Sequence, residues 1–244
     1  MARISRKQLK ENRFAEEVSQ SVEYVAHHRK RVIVWALAVI GLIVAVTAFI
    51  GYQRRQTAQA RYALQEAINL FHGELETPDE QIGVITFATN IEKHTRVTEA
   101  FEKVSQDFPN RFEGAAARYY LALDQIEQGN WDEGQQGLEA VVQGGDAEAS
   151  SLARKALADL LSSQGKKDEA RVHYEYLAEN PSSLVPKVQA ELGLAELLIE
   201  SDPERARSLL EPLQIMPGAA SIRATSMLMR IPSQPAQTTS PSSE

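Results

Sequence analysis

The chain has 244 residues, with 33 Asp and Glu against 26 Lys and Arg, and it contains no cysteine. The lack of cysteine excludes a disulfide framework, a thiolate metal site and a cysteine nucleophile. Residues 1–61 carry a charge balance of +7 (11 basic, 4 acidic), whereas residues 62–244 carry −14 (15 basic, 29 acidic). An acidic domain repels phosphate backbones, so we expect no nucleic-acid partner.

Residues 1–31 form a basic head with an amphipathic pattern. Phe14, Val18, Val22 and Val25 recur at spacings of 4, 4 and 3, which is typical of a helix with one apolar face. Such a helix could lie on anionic lipid, dock on a partner, or simply precede the membrane and set topology by its charge. The stripe is short and interrupted by glutamates, which favours the last interpretation.

Residues 32–52 contain no charged side chain and predict a transmembrane helix. These 21 residues, at ~1.5 Å rise per residue, match a hydrocarbon core of ~30 Å. Trp35 and Tyr52 stand near the two ends, where aromatic rings favour the headgroup level. A cleaved secretory signal is the alternative, with Val46 and Ala48 as a small-residue cleavage pattern. The 31 residues that precede the run disfavour it, because signal peptides have short positive segments.

Basic residues on both sides of the span bear on its orientation. Eight Lys and Arg precede it, and short positively charged flanks are retained in the cytoplasm. Arg54, Arg55 and Arg61 follow it and oppose this rule. We predict a single-pass protein with a cytoplasmic N-terminus and the large C-terminal part on the other side of the membrane.

The stretch after the span predicts a helix, an insertion and a second helix. Residues 77–90 contain Pro, Gly and a β-branched cluster, and form an irregular insertion. The second helix begins near Glu92 and ends before Pro109, since the residue preceding a proline avoids the helical region. In the first helix, apolar residues recur at helical spacing, namely Ala60, Leu64, Ala67 and Phe71.

From residue 113 onward the sequence repeats itself. Turn sequences begin at Gly129, Gly165 and Ser201, with a spacing of 36 residues. A period of this length, made of two helices and two turns, predicts an α-solenoid. Each helical hairpin then buries its apolar face against its neighbours.

These turns also carry helix-start signals. Asn130 with Glu133, and Ser201 with Glu204, have the spacing of a capping box. Pro203 suits the first turn of the helix that follows. We therefore expect the second helix of a hairpin to begin at each turn.

The repeats resemble tetratricopeptide repeats. Small residues occupy the positions where paired helices cross, namely Ala122 with Gly134 and Ala158 with Ala170. Leu194 departs from this pattern, unless the register of the last repeat shifts onto Gly193. Large residues follow four and seven positions after the crossing at Leu138 and Val141, Tyr174 and Leu177, and Leu210 and Leu213.

The C-terminal part predicts a short helix and a disordered tail. Residues 218–230 form a helix that caps the exposed last repeat. Residues 231–244 are rich in Pro, Ser, Thr and Gln and bury too little apolar surface to order themselves. The fold is thus predicted as all-α, with the head, the transmembrane helix, a tetratricopeptide-like α-solenoid over residues 53–230, and the tail.

No residue pattern points to catalysis. The histidines lack the spacing of an HExxH metal site, and the acidic pairs at helix starts are explained by the helix dipole. We expect no catalytic residue, no metal and no cofactor, and we do not expect an enzyme.

The resemblance implies a protein-binding site instead. A tetratricopeptide stack holds an extended peptide or a partner helix on its concave face, which the first helices of the hairpins line. The side chains on this face could equally serve to pack the repeats against one another. Family members that clamp a C-terminal carboxylate use several basic side chains, and this face has a single lysine. By position, the lining comprises Tyr119, Leu123, Ile126, Leu152, Lys155, Asp159 and Glu191.

The whole layout is similar to the single-pass ancillary subunits of the bacterial Sec translocon, with AQARYALQEAI at residues 58–68 as the local match. The resemblance implies a scaffold in the bacterial inner membrane, with periplasmic repeats that contact translocon subunits and folding factors during protein secretion or envelope-protein biogenesis. The alternative is a tetratricopeptide adaptor in envelope assembly or cell division, with the span as a mere tether. The partner and the oligomeric state stay open.

Overall fold

The computed structural model describes residues 29–75 and 85–231. Almost all of the predicted head, most of the insertion and all but the first residue of the predicted tail lie outside the described residues. The chain divides into two compact units, Met1–Ala58 and Gln59–Glu244.

The described part of the first unit is entirely helical and belongs to α1 (Arg29–Phe71). Large apolar side chains of this part, such as Trp35, Leu42 and Phe49, are exposed. An apolar character on all sides is typical of a buried helix or of a membrane span. Helix α1 is long and apolar enough to cross a membrane.

The described part of the second unit is built from helical hairpins stacked in chain order. After the long first helix, each helix packs against the next one along the chain, and about 82% of the described residues are helical. The prediction of an all-α solenoid is confirmed. After α1 the described helices are α2 (Asn90–Asp107), α3 (Phe112–Glu127), α4 (Trp131–Gln143), α5 (Ala147–Ser163), α6 (Lys167–Glu179), α7 (Lys187–Ser201), α8 (Pro203–Gln214) and α9 (Ala219–Arg230).

The first hairpin pairs the end of α1 with α2 and is split by the insertion. Its buried core includes Leu64 and Phe71 from α1 and Phe101 from α2. The two ends of the insertion meet in a short parallel ladder between β1 (Glu74–Leu75) and β2 (Thr86–Phe87). This ladder was not predicted, because strands of two residues are too short to show an alternating pattern in the sequence.

Close helix crossings at small residues hold the next hairpins together. A Cβ atom added at Gly134 would lie 2.9 Å from the carbonyl oxygen of Ala122, so the backbones of α3 and α4 touch where the sequence predicts. Ala158 and Ala170 are fully buried in one core cluster. The turns at Gly129 and Gly165 have φ values of +84° and +77°, which glycine adopts without steric cost.

The departure at Leu194 has a simple physical basis. Leu194 is buried in the core of the last repeats, whereas the neighbouring Gly193 faces the ring of Tyr174 from α6. Tyr174 stands where the other repeats carry Leu138 and Leu210. The larger ring needs the space that a side chain at position 193 would fill.

The predicted capping boxes are wrong. Asn130 makes no side-chain cap, and its amide nitrogen donates to Gln125 Oε1 at 2.8 Å. Ser201 is the last residue of α7, and Asp202 caps α8 by accepting from the Arg205 N–H at 3.1 Å. The aspartate lies one residue later than the predicted serine cap.

Helix α9 closes the stack, as predicted. Its buried face carries Ala224 and Met227, and Ile231 follows them into the same core cluster. It packs against both helices of the last hairpin, α7 and α8.

Candidate functional site: a groove between α3 and α5

A groove of about 320 Å³ lies between the first helices of two consecutive hairpins. Helix α3 contributes Leu123 and Ile126 to its wall, and α5 contributes Leu152 and Leu160. Trp131, the first residue of α4, stands at its edge with half of its side chain exposed. The walls are therefore mainly apolar, which suits the side chains of a bound polypeptide.

The polar part of the groove centres on Asp159. Its Oδ1 accepts a hydrogen bond from the Tyr174 hydroxyl, and its Oδ2 accepts one from Lys155 Nζ at 2.7 Å. Lys155 and Asp159 lie one helical turn apart on α5, where such a pair is well placed. The only lysine predicted on this face is thus neutralised by its own neighbour.

Two tyrosine hydroxyls in this region stay protonated at neutral pH. Burial, with smaller effects from Tyr120 and the Asp159 carboxylate, raises the pKa of Tyr119 to about 12. Burial also raises the pKa of Tyr174, and the hydrogen bond to Asp159 and its negative charge add to this effect. These hydroxyls are neutral hydrogen-bonding groups rather than proton carriers.

The structure brings six of the seven predicted site residues together. Glu191 is the exception, because it lies on α7 in an ion pair with Lys187 at 3.2 Å and does not line this groove. The six residues that do line the groove are Tyr119, Leu123, Ile126, Leu152, Lys155 and Asp159.

Four lining residues were missed by the sequence analysis: Trp131, Ala156, Leu160 and Ser163. Ala156 and Leu160 follow Leu152 at helical spacing, so extending the predicted stripe along α5 would have found them. Trp131 belongs to a second helix, and the assumption that only first helices line the groove excluded it.

A second polar cluster lies outside the groove, between α2 and α3. Asp124 is fully buried and accepts hydrogen bonds from His94 Nδ1 at 2.6 Å, Thr98 Oγ1 at 3.2 Å and Gln128 Nε2 at 2.8 Å. A buried carboxylate requires such partners. The cluster therefore fastens the split first hairpin to the rest of the stack.

Stacked hairpins with a mainly apolar groove between their first helices define an α-solenoid binding module. The sequence model of the tetratricopeptide repeat-like domain matches residues 23–208. The chain belongs to this family. Domains of this kind are generally non-catalytic and bind other proteins. A comparison with curated proteins finds no match.

Proposed function

We propose that the protein is a membrane-anchored scaffold that holds a segment of a partner protein in the groove between α3 and α5. The observation that carries this proposal is the composition of the groove, with apolar walls around an internally neutralised pair of Lys155 and Asp159. A free C-terminal carboxylate would find no unpaired lysine there. The groove thus favours an internal apolar segment over a chain terminus.

Helix α1 serves as the membrane anchor in this proposal. The N-terminus is cytoplasmic, and the repeats lie on the outer side of the membrane, because eight basic residues precede the span. A reporter that is active only outside the cytoplasm, fused after Glu244, is expected to be active. Activity of a cytoplasmic reporter alone would overturn this topology. A mature protein that lacks residues 1–48 would show that the apolar segment is a cleaved leader and not an anchor.

The proposed site of action is the bacterial Sec translocon, where the scaffold assists secretion or envelope-protein biogenesis. Support comes from the order of basic head, span and acidic repeats, which resembles that of the translocon's ancillary subunits. The groove provides the contact for a translocon subunit or a folding factor. No enzymatic step is part of this role.

Photocrosslinking from the groove tests both parts of the proposal. A photoreactive residue replaces Leu123 in full-length protein in native membranes, and the matched control carries it at Val172, an exposed apolar position on α6. We expect adducts from position 123 that are absent from position 172 and that disappear with Leu152→Asp. Equal adducts from both positions would refute the groove as a binding site.

The identity of the adducts then separates the cellular roles. Translocon subunits or their folding factors in the adducts at position 123 support the Sec assignment. Adducts made only with envelope-assembly or division proteins would refute that assignment while leaving the groove intact.

A further inference from the structure

The outer face of α9 differs from the outer face expected of a capping helix. Ile222 and Met229 are 73% and 80% exposed, and Ser226 lies between them and is also exposed. Spacings of 4 and 3 place these three residues on one stripe of the helix. Terminal helices of solenoids need a polar outer face for solubility, so an apolar stripe indicates a surface that is covered in use.

The charge beside this stripe is positive, although the domain as a whole is acidic. Arg223 and Arg230 both approach the single carboxylate of Glu196 on α7, at 4.0 and 3.2 Å. Helix α9 contains no acidic residue of its own. Glu200 on α7 also interacts with Arg230, but it forms an ion pair with Lys167 at 2.8 Å. Two carboxylates thus face three cations, so the rim of the stripe keeps a net positive charge.

We infer that this terminal face, defined by Ile222, Ser226 and Met229 with Arg223 and Arg230 at its rim, docks an amphipathic helix of another protein that carries carboxylates along one edge. Such a helix packs on α9 in the way that the second helix of a hairpin packs on the first. Its apolar residues cover Ile222 and Met229, and Ser226 allows the two backbones to approach closely.

Two other occupants fit the surface less well. The chain beyond Ile231, residues 232–244, contains no Leu, Ile, Val, Met or Phe, so it lacks the side chains to cover the stripe. A second copy whose α9 packs antiparallel to the first about a two-fold axis would place the same flank of each α9 side by side. Arg223 and Arg230 of both copies would then share one edge, and like charges there repel.

Two synthetic peptides of about four helical turns test the inference. Both carry the same leucine stripe, and one has glutamates at the flanks where the other has lysines. With full-length protein in lipid nanodiscs, fluorescence anisotropy is expected to show at least about tenfold tighter binding of the glutamate peptide. Arg223→Glu combined with Arg230→Glu should reverse this preference.

Matched variants show whether the stripe itself is the site. Ile222→Glu should abolish binding of the glutamate peptide, whereas Val172→Glu, at an exposed apolar position on α6, should leave it unchanged. Leu123→Asp in the groove should also leave it unchanged, which separates this surface from the proposed groove function. Equal binding of both peptides, or equal loss in the two glutamate variants, would overturn the inference.

Sedimentation of the protein in mild detergent, without nanodiscs, tests whether a second copy occupies this face. We expect no self-association that depends on Ile222. Dimers that dissociate in Ile222→Glu would show a second copy to be the occupant and would refute the partner helix.

Discussion

Replacing Gly193 by alanine should disturb both the core of the repeats and the groove. The added Cβ would overlap the ring of Tyr174, whose hydroxyl is held by Asp159. Moving the ring therefore overpacks the core, at a cost of about 1–3 kcal/mol. It also weakens a hydrogen bond to a charged acceptor, which contributes about 1.5–3 kcal/mol.

The helix propensity of alanine opposes these losses, so the sign of the change in the free energy of unfolding shows which effect is larger. Within a helix, alanine is more favourable than glycine by about 1 kcal/mol. The net expectation for Gly193→Ala is a loss of about 2–4 kcal/mol in the free energy of unfolding. Urea unfolding of the full-length protein in detergent, followed by far-UV circular dichroism, measures this loss.

The repeats themselves provide the control. Leucine stands at the position of Tyr174 in two other repeats, as Leu138 and Leu210. In a Tyr174→Leu background the overlap is removed, so Gly193→Ala should cost little or should stabilise by up to about 1 kcal/mol. A Gly193→Ala variant in the wild-type background that is as stable as the parent protein would refute the packing argument.

Three further perturbations test the polar groups. Asp124→Ala should lower the free energy of unfolding by about 3–5 kcal/mol, because three donors lose a buried charged acceptor, and Asp124→Asn should cost less in the same urea titration. The Glu148 carboxylate has its pKa lowered, chiefly by the hydrogen bond from Ser183, so its stabilisation is present above the unfolded pKa and is lost as the pH falls through the lower folded value. Thermal unfolding of Glu148→Gln should accordingly show a weaker acid dependence than the parent protein, and an unchanged pH profile would contradict this role. A spectrophotometric titration of Tyr119→Phe should lack a phenol whose pKa is raised to about 12 in the parent protein. Because the pKa is raised in the folded state, stability from this group is complete below the unfolded value of 10.0 and is lost as the pH rises toward about 12.

Helical spacing predicted six of the ten residues that line the groove. Tyr119, Leu123 and Ile126 share a face of α3, and Leu152 and Asp159 share a face of α5. A 36-residue period places those two faces in neighbouring hairpins. Position along a helix is enough to determine which residues share a face, so six of the predicted residues meet.

The contacts between helices could not be read in the same way. His94 and Asp124 are 30 residues apart, and nothing in their local sequence marks them as a pair. Glu191 lies on a first helix as predicted, but its ion pair with Lys187 depends on side-chain conformation. Spacing predicts a direction from the helix axis, whereas partners depend on packing and rotamers.

The ladder between β1 and β2 has a consequence for the length of the insertion. It joins Leu75 to Phe87, so the hairpin core is closed regardless of how many residues connect the two strands. Doubling the length of a closed loop costs only about 0.6 kcal/mol. A longer connection between β1 and β2 is therefore expected to leave the core between α1 and α2 intact.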